Sequence, residues 1–160
     1  MSIEKVRAFF AARGRGGDVL EFPVSSATVE LAAQAVGVIP ARIAKTLSFK
    51  SPEGCVLIVM AGDARIDNRK FKDQFSMKAT MLPPEEALAL TGHAVGGVCP
   101  FDLGEGVRVY LDESLRRFDI VYPACGSANS AVRLSPQELE SASGGEWVSV
   151  CRARGEQGEG

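Results

Sequence analysis

Residues Arg42 to Lys50 read RIAKTLSFK, and the reading of this stretch decides the fold. As a β-strand it alternates its side chains between two faces. Ile43, Lys45, Leu47 and Phe49 then share one face, and Ala44, Thr46, Ser48 and Lys50 share the other. The first set is a core face with an ammonium group in it. Lysine is rarely buried without a partner, so such a face implies a cavity beside the core, where Lys45 meets a ligand carbonyl, hydroxyl or phosphate. The alternative is a lysine at the strand's start that snorkels to water. Periodicity alone leaves both readings open.

Outward from this stretch, SPEG (51–54) joins it to the apolar run CVLIVMA (55–61), which reads as a hairpin of two strands. Upstream, Ile3, Val6, Phe9 and Phe10 form one stripe of a first helix ending at Gly14. VLEFPV is a short strand, and a second helix follows Ser25 and Ser26, turns Val29, Ala32, Ala33 and Val36 inward and stops at Gly37. Downstream, DNRKFKDQF is a short basic helix, KATML a short strand and PPEEALALTG a helix. A glycine-rich passage (91–106) precedes the strand VRVYLD, the short helix ESLRRF and the strands DIVYPA and AVRLS. Ser135 and Glu138 form a capping box that opens a last helix, and EWVSV closes the domain. Hairpin-like connections interrupt the alternation of strands and helices. The expected fold is therefore a single-domain α/β protein with a mixed, partly antiparallel sheet and short helices around it. The domain is expected to span residues 1–151, with 152–160 as a disordered tail.

Composition narrows the function. The chain has 160 residues, 46% hydrophobic and 24% charged, with a net charge of −2. No global positive field draws it to DNA or to an anionic membrane, so any RNA contact uses a local patch. No apolar run is long enough to span a bilayer, and the N-terminus lacks a secretory signal pattern. The four cysteines stand far apart and His93 is the sole histidine, so reduced thiols in a cytoplasmic protein are expected, with no metal and no cofactor.

Three further features carry candidate chemistry. Gly96 and Gly97 in VGGVCPF either form a tight turn or let peptide N–H groups line an anion or oxyanion site. CGSANS (125–130) is either a plain loop or a pocket rim offering Ser127 and Asn129. The segment RIDNRKFKDQF carries Arg65, Arg69, Lys70 and Lys72, either as a solvated charged face or as phosphate contacts. The lack of G-x-S-x-G and the single imidazole, His93, argue against a serine hydrolase, and Cys99 or Cys125 as a nucleophile needs that histidine or another activator nearby.

Taken in order, IAKTLSF, GDARID, TGHAVGGVCPF, VYLDESL, VYPACGSANS and VRLSPQEL resemble the YbaK/EbsC and ProX-like aminoacyl-tRNA deacylases, from about Ser25 to Leu139. The resemblance implies the fold of the editing domain found in prolyl-tRNA synthetases. It implies hydrolysis of the ester joining a wrong amino acid to the 3′ end of a tRNA, often that for proline. It makes Lys45 the key functional residue, puts Gly96 and Gly97 along the substrate site, and implies the aminoacyl-tRNA acceptor end as partner. Prolyl-tRNA synthetase and an elongation factor are candidate protein partners. Thr46 stands where alanine-specific members carry Asn, and the late loop lacks their histidine as well as the basic group of cysteine-specific members. Several small amino acids therefore stay open as substrates, with Thr46, Ser127 and Asn129 as candidates for shaping the pocket. The competing readings are a non-catalytic module that binds aminoacyl-tRNA or a synthetase, and a hydrolase of another small ester.

Overall fold

The hairpin around Lys45 forms the centre of the molecule. In a computed structural model, which describes residues 2–94 and 96–153, the chain runs α1 (Ser2–Ala11), β1 (Val19–Glu21), α2 (Val29–Val36), β2 (Ile43–Ser51), β3 (Gly54–Ala61), β4 (Ala64–Ile66), α3 (Asn68–Phe75), α4 (Pro84–Thr91), β5 (Val107–Asp112), β6 (Tyr122–Pro123), β7 (Ser130–Val132), α5 (Pro136–Ser143), β8 (Glu146–Val148) and β9 (Cys151–Ala153). The main sheet has the order β6-β2-β3-β5-β8, and the pairs β1-β7 and β4-β9 flank it. Only β2 and β3 run antiparallel within the main sheet; β2-β6, β3-β5 and β5-β8 are parallel. This is the mixed α/β fold that the sequence pattern implies.

β3 explains the arrangement. Its residues Cys55 to Ala61 are all buried, the signature of a strand covered on both faces. One face meets the large core, where Phe49 and Phe71 lie 5.0 Å apart between ring centroids, and Phe10 and Phe101 lie 4.8 Å apart. The other face carries Cys55 and Leu57 against Leu82 and Ala87 of the α4 region. Register pairs Lys45 with Met60, Leu47 with Ile58 and Phe49 with Val56, which keeps these three β2 residues on one face. Ile43, at the strand's start, packs with Ala32 and Ala33 of α2.

Helix ends follow local chemistry. Asp67 caps α3 by accepting from the N–H groups of Arg69 and Lys70, and the Ser135–Glu138 capping box opens α5. α2 is capped by Thr28 rather than by Ser25 or Ser26, which leaves Ser26 free to turn inward.

Several expectations need correction. KATML is not a strand: only Met81 bridges Phe49, because Pro83 and Pro84 follow at once and end the pairing. ESLRRF is a 3₁₀ turn over Glu113–Arg117, and DIVYPA forms a strand only over Tyr122–Pro123, with Val121 making a single bridge to Leu134. The closing segment makes two strands, β8 and β9, in different sheets. β9 pairs with β4, so Arg152 and Ala153 lie in a strand where a tail is expected. The rest of that tail, 154–160, lies outside the described residues. No helix among the described residues is long and apolar enough to cross a membrane.

Candidate functional site

β2 has an open edge, and the site is built on it. The Lys50 N–H donates to the Thr80 carbonyl at 2.8 Å, and the Leu82 N–H donates to the Ser48 carbonyl at 3.1 Å. Even-numbered residues of β2 therefore turn their peptide groups away from β3. At the strand's other end β6 pairs with Ile43 and Ala44 alone. Thr46 falls in the gap, its peptide N–H and C=O turned toward an edge that no described strand covers. Its Oγ1 is buried and has no hydrogen-bond partner among the described residues.

A cavity of about 280 Å³ opens over this gap. Its walls are mostly small or apolar, with Ala32, Ala44, Leu82, Val98 and Ala131 among them, and its polar lining residues include Ser26, Lys45, Thr46 and Ser130. A second cavity of about 340 Å³ lies on the Lys45 face of β2, and only Lys45, Leu47 and Met81 line both.

Lys45 is half-buried, and its Nζ is 3.5 Å from the Gly62 carbonyl, a long and weak contact. Burial holds its pKa below the ordinary lysine value. Gly62 itself is a close-approach residue. A Cβ there would stand 2.1 Å from the Pro40 carbonyl oxygen and 2.7 Å from Val29 Cγ1. Only glycine lets the end of β3 pass against α2 and hold that carbonyl under the ammonium. Neighbouring Asp63 pairs with Arg117 at 2.5 Å, which holds its carboxyl below the usual range.

The paired glycines divide their roles. Gly96 lines the first cavity together with Lys45. Gly97 lies behind it: its N–H donates to the Ala94 carbonyl at 2.9 Å, and its carbonyl accepts from the Gly126 N–H at 3.1 Å. A Cβ at Gly97 would come within 2.6 Å of the Ser127 nitrogen, so two loops touch here at backbone distance.

Ser127 and Asn129 brace their loop and do not line the cavity. The Ser127 hydroxyl donates to Asn129 Oδ1 at 3.0 Å and shares a 2.6 Å hydrogen bond with the Ser130 hydroxyl. Asn129 Nδ2 donates to the Phe22 carbonyl at 3.0 Å. The cavity receives Ser130 instead, the last residue of CGSANS, along with Ser26 and Tyr122. Ser130 opens β7, one residue before the strand AVRLS expected from the sequence, which kept it in the loop and out of the candidates.

The basic residues also separate. Arg65 lines the second cavity and pairs across β4-β9 with Arg152. Arg69 and Lys72 are exposed on α3, on the side away from buried Phe71. The Lys70 ammonium donates to the Cys151 carbonyl at 3.0 Å and so ties α3 to β9.

The cysteines make poor nucleophiles. Cys99 Sγ does lie 3.5 Å from His93 Nε2, but that nitrogen also donates its N–H to the Phe101 carbonyl at 3.1 Å and so is not free to act as a base. Burial pushes the Cys99 thiol up and moves the Cys125 thiol to about 11. Among the described residues no three His, Cys, Asp or Glu side chains gather as a metal site.

A mixed α/β domain with a cation beside an apolar pocket at a strand edge has the chemistry to hold a carbonyl or an anion. Comparison with known proteins gives such a domain a family. Residues 24–142 match the sequence profile described as "Aminoacyl-tRNA editing domain", and the chain belongs to that family. It is 53% identical over 154 residues to "Uncharacterized protein YwhH" of Bacillus subtilis (strain 168), covering 95% of this chain and 98% of that one. It is 33% identical over 90 residues to "Proline--tRNA ligase" of Thermotoga maritima, a match that covers 56% of this chain and 15% of the ligase. Among solved structures, one described as "a putative trans-editing enzyme for prolyl tRNA synthetase" superposes with a TM-score of 0.86 at 33% identity, covering 95% of this chain and 98% of that one. The structure of "hypothetical protein APE2540" superposes with a TM-score of 0.82 at 30% identity, over 92% of this chain and 99% of the other.

Proposed function

We propose that this protein is a hydrolase that removes a small wrong amino acid from a mischarged tRNA, that for proline being the leading candidate. The observation that carries this reading is the Lys45 ammonium, half-buried between two cavities with one long contact to the Gly62 carbonyl. A cation so poorly satisfied has bonding capacity left for a substrate oxygen.

An aminoacyl ester is already activated, so orientation and charge stabilisation suffice for its hydrolysis. Lys45 donates to the ester carbonyl as negative charge develops on it, or to the ribose beside it. Gly96 places backbone against the acyl group. Thr46 offers its edge N–H and C=O to the carbonyl and α-amino group, while the amino-acid side chain enters the cavity. Water adds to the acyl carbon, the bond to the ribose oxygen breaks, and that oxygen leaves as a hydroxyl with one of the water's protons. The carboxylic acid so formed releases the other to solvent. The ribose hydroxyl beside the ester assists the water, and no protein base is assigned. Arg65, Arg69, Lys70 and Lys72 form the candidate basic surface for the acceptor end, and Ser127 and Asn129 act through Ser130 by holding the loop. Choice of tRNA comes from that end or from a partner, prolyl-tRNA synthetase or an elongation factor, in the cytoplasm.

The test is a deacylation screen over tRNAs charged with alanine, cysteine, serine, threonine and 2-aminobutyrate, run beside Lys45→Ala. Release of at least one amino acid by the native chain, lost in the variant, supports the reading. If the native chain hydrolyses none of them while still binding charged tRNA, the domain is a binding module.

A further inference from the structure

The one contact of the Lys45 ammonium is supplied by a residue that stands next to a carboxylate. The Gly62 carbonyl lies 3.5 Å from Nζ, and Asp63 follows it in the turn between β3 and β4. An aspartate so placed is the obvious partner for a half-buried lysine, and a closed pair would use up the bonding capacity meant for a substrate. Here the carboxylate is engaged elsewhere. Arg117 Nη1 donates to Asp63 Oδ2 at 3.1 Å, and Nη2 donates to Oδ1 at 2.5 Å. Resting on the deacylase reading above, we infer that Arg117 is a positioning residue for that reaction: it holds the Asp63 carboxylate off Lys45 and so keeps the ammonium open to the substrate oxygen.

Three observations carry this assignment. The first is the rigidity of the grip. Arg117 Nε donates to the Ser114 carbonyl at 2.9 Å, so each of the three guanidinium nitrogens is bonded, and the group lies 4.8 Å from the centre of the Phe118 ring. The 3₁₀ turn that carries it is fastened to the sheet. The Ser114 hydroxyl accepts from the Ala61 N–H at 3.1 Å, and the Ser114 N–H donates to Asp112 Oδ2 at 2.9 Å. A planar fork held this way fixes the carboxylate it binds.

The second is the backbone at Gly62. Packed against the Pro40 carbonyl and Val29, it has no room to move toward α2. The carbonyl beneath the ammonium and the carboxylate one residue on therefore stand in a set relation, and only the Asp63 side chain is left to choose between Arg117 and Lys45.

The third is charge. Four charged or titratable groups face the ammonium: Cys151 of β9, Asp63, Arg65 of β4 and Glu30 of α2. Burial pushes the Cys151 thiol up, which keeps it neutral while Lys45 carries its charge. Arg65 repels the ammonium, and Asp63 acts on it more strongly than Glu30 does. Asp63 is thus the anion whose placement decides how far the cation is neutralised.

The test reads Lys45 directly and then through turnover. In the full chain carrying ¹³C-labelled lysine, the Lys45 side-chain signal, assigned with Lys45→Met, is followed against pH. Arg117→Ala should raise its titration midpoint by about one pH unit, as the released carboxylate closes on the ammonium. On a mischarged tRNA that the native chain hydrolyses, the same variant should lose about tenfold in kcat/KM, the equivalent of that shift. Arg117→Ala combined with Asp63→Asn removes the grip and the competitor together, and kcat/KM should return to within about twofold of native. Asp63→Asn alone, which leaves the arginine in place, should also stay within about twofold. A purely structural role for Arg117 predicts a double variant as impaired as the single one, and that result overturns the inference. An unmoved midpoint in Arg117→Ala overturns it as well, even in a chain that deacylates. A raised midpoint in a chain that deacylates nothing defeats the proposed function and leaves the Arg117–Asp63 latch standing.

Discussion

Lys45 in β2 and Asp112 at the end of β5 both place a charged side chain in a largely apolar setting, and the structure treats them in opposite ways. Asp112 is 2% exposed and saturated: Oδ1 accepts from the Val150 N–H at 2.9 Å, and Oδ2 from the Ser114 N–H at 2.9 Å. It caps the 3₁₀ turn and ties β5 to the segment leading into β9. Lys45 has a single 3.5 Å contact, and the hydroxyl of its neighbour Thr46 has none among the described residues. A buried polar group with its bonds filled serves the fold, and one left open keeps bonding capacity that a ligand can use. The contrast lies in the count of partners.

The comparison is most exposed at Lys45 itself. Lys45→Ala should lower deacylation about 10²- to 10³-fold, the usual cost of removing a group that stabilises developing charge. Its urea midpoint should not fall. A variant that keeps native turnover breaks the contrast at once. Asp112→Ala tests the other half. It should cost about 3 kcal/mol in urea unfolding by stranding two buried N–H groups, with turnover per folded molecule preserved. If the folded variant is inactive, Asp112 is more than structural.

A smaller effect has a definite sign. Burial lowers the Lys45 pKa, so the unfolded chain binds its proton more tightly than the native one does. Between the lowered value and the ordinary lysine value the unfolded state holds more protons, and stability rises with pH across that window. Below it the cation is a constant burden on the fold. Lys45→Met should therefore stabilise by about 1 kcal/mol, a rise in Tm of about 2–4 °C for a domain of this size. Deacylation that depends on the cation should decline as pH climbs through the same lowered value, once spontaneous ester hydrolysis is subtracted.

Much of this was legible beforehand, and the rest was not for identifiable reasons. Alternation placed Lys45 with Leu47 and Phe49 because a strand's period holds wherever register is fixed by an apolar partner such as β3. The capping box at Ser135 and the stop at Gly37 are local chemistry, readable within a few residues. β4 and β9 escaped notice because three-residue pairs carry too little pattern, and their pairing is non-local. Lys45 in a core face implied a cavity, but for the same reason the walls of that cavity were not readable. Its polar wall joins Ser26, Thr46 and Ser130, brought together when β7 meets β1 and α2 folds over β2. Ser127 and Asn129 have the right residue types, but their hydrogen bonds are spent on each other, on Ser130 and on Phe22.

The smallest predicted effect sharpens the contrast most. Thr46→Val keeps the shape of the side chain and removes only the hydroxyl that lacks a partner. Where a hydroxyl is filled, as in the Ser127–Ser130 pair, its loss strands a second group; here nothing is stranded. Stability should therefore stay within about 0.5 kcal/mol of the native value or rise slightly. The effect should appear in selectivity, because Thr46 lines the cavity proposed above to receive the amino-acid side chain. Serine and threonine can bond to it, whereas alanine and 2-aminobutyrate cannot. The ratio of kcat/KM for seryl-tRNA to that for the 2-aminobutyryl ester should fall about tenfold, as expected for one lost bond in a partly hydrated pocket. A clear drop in stability with no change in that ratio would place Thr46 on the same side of the comparison as Asp112, and the open edge of β2 would lose its claim to shape the substrate.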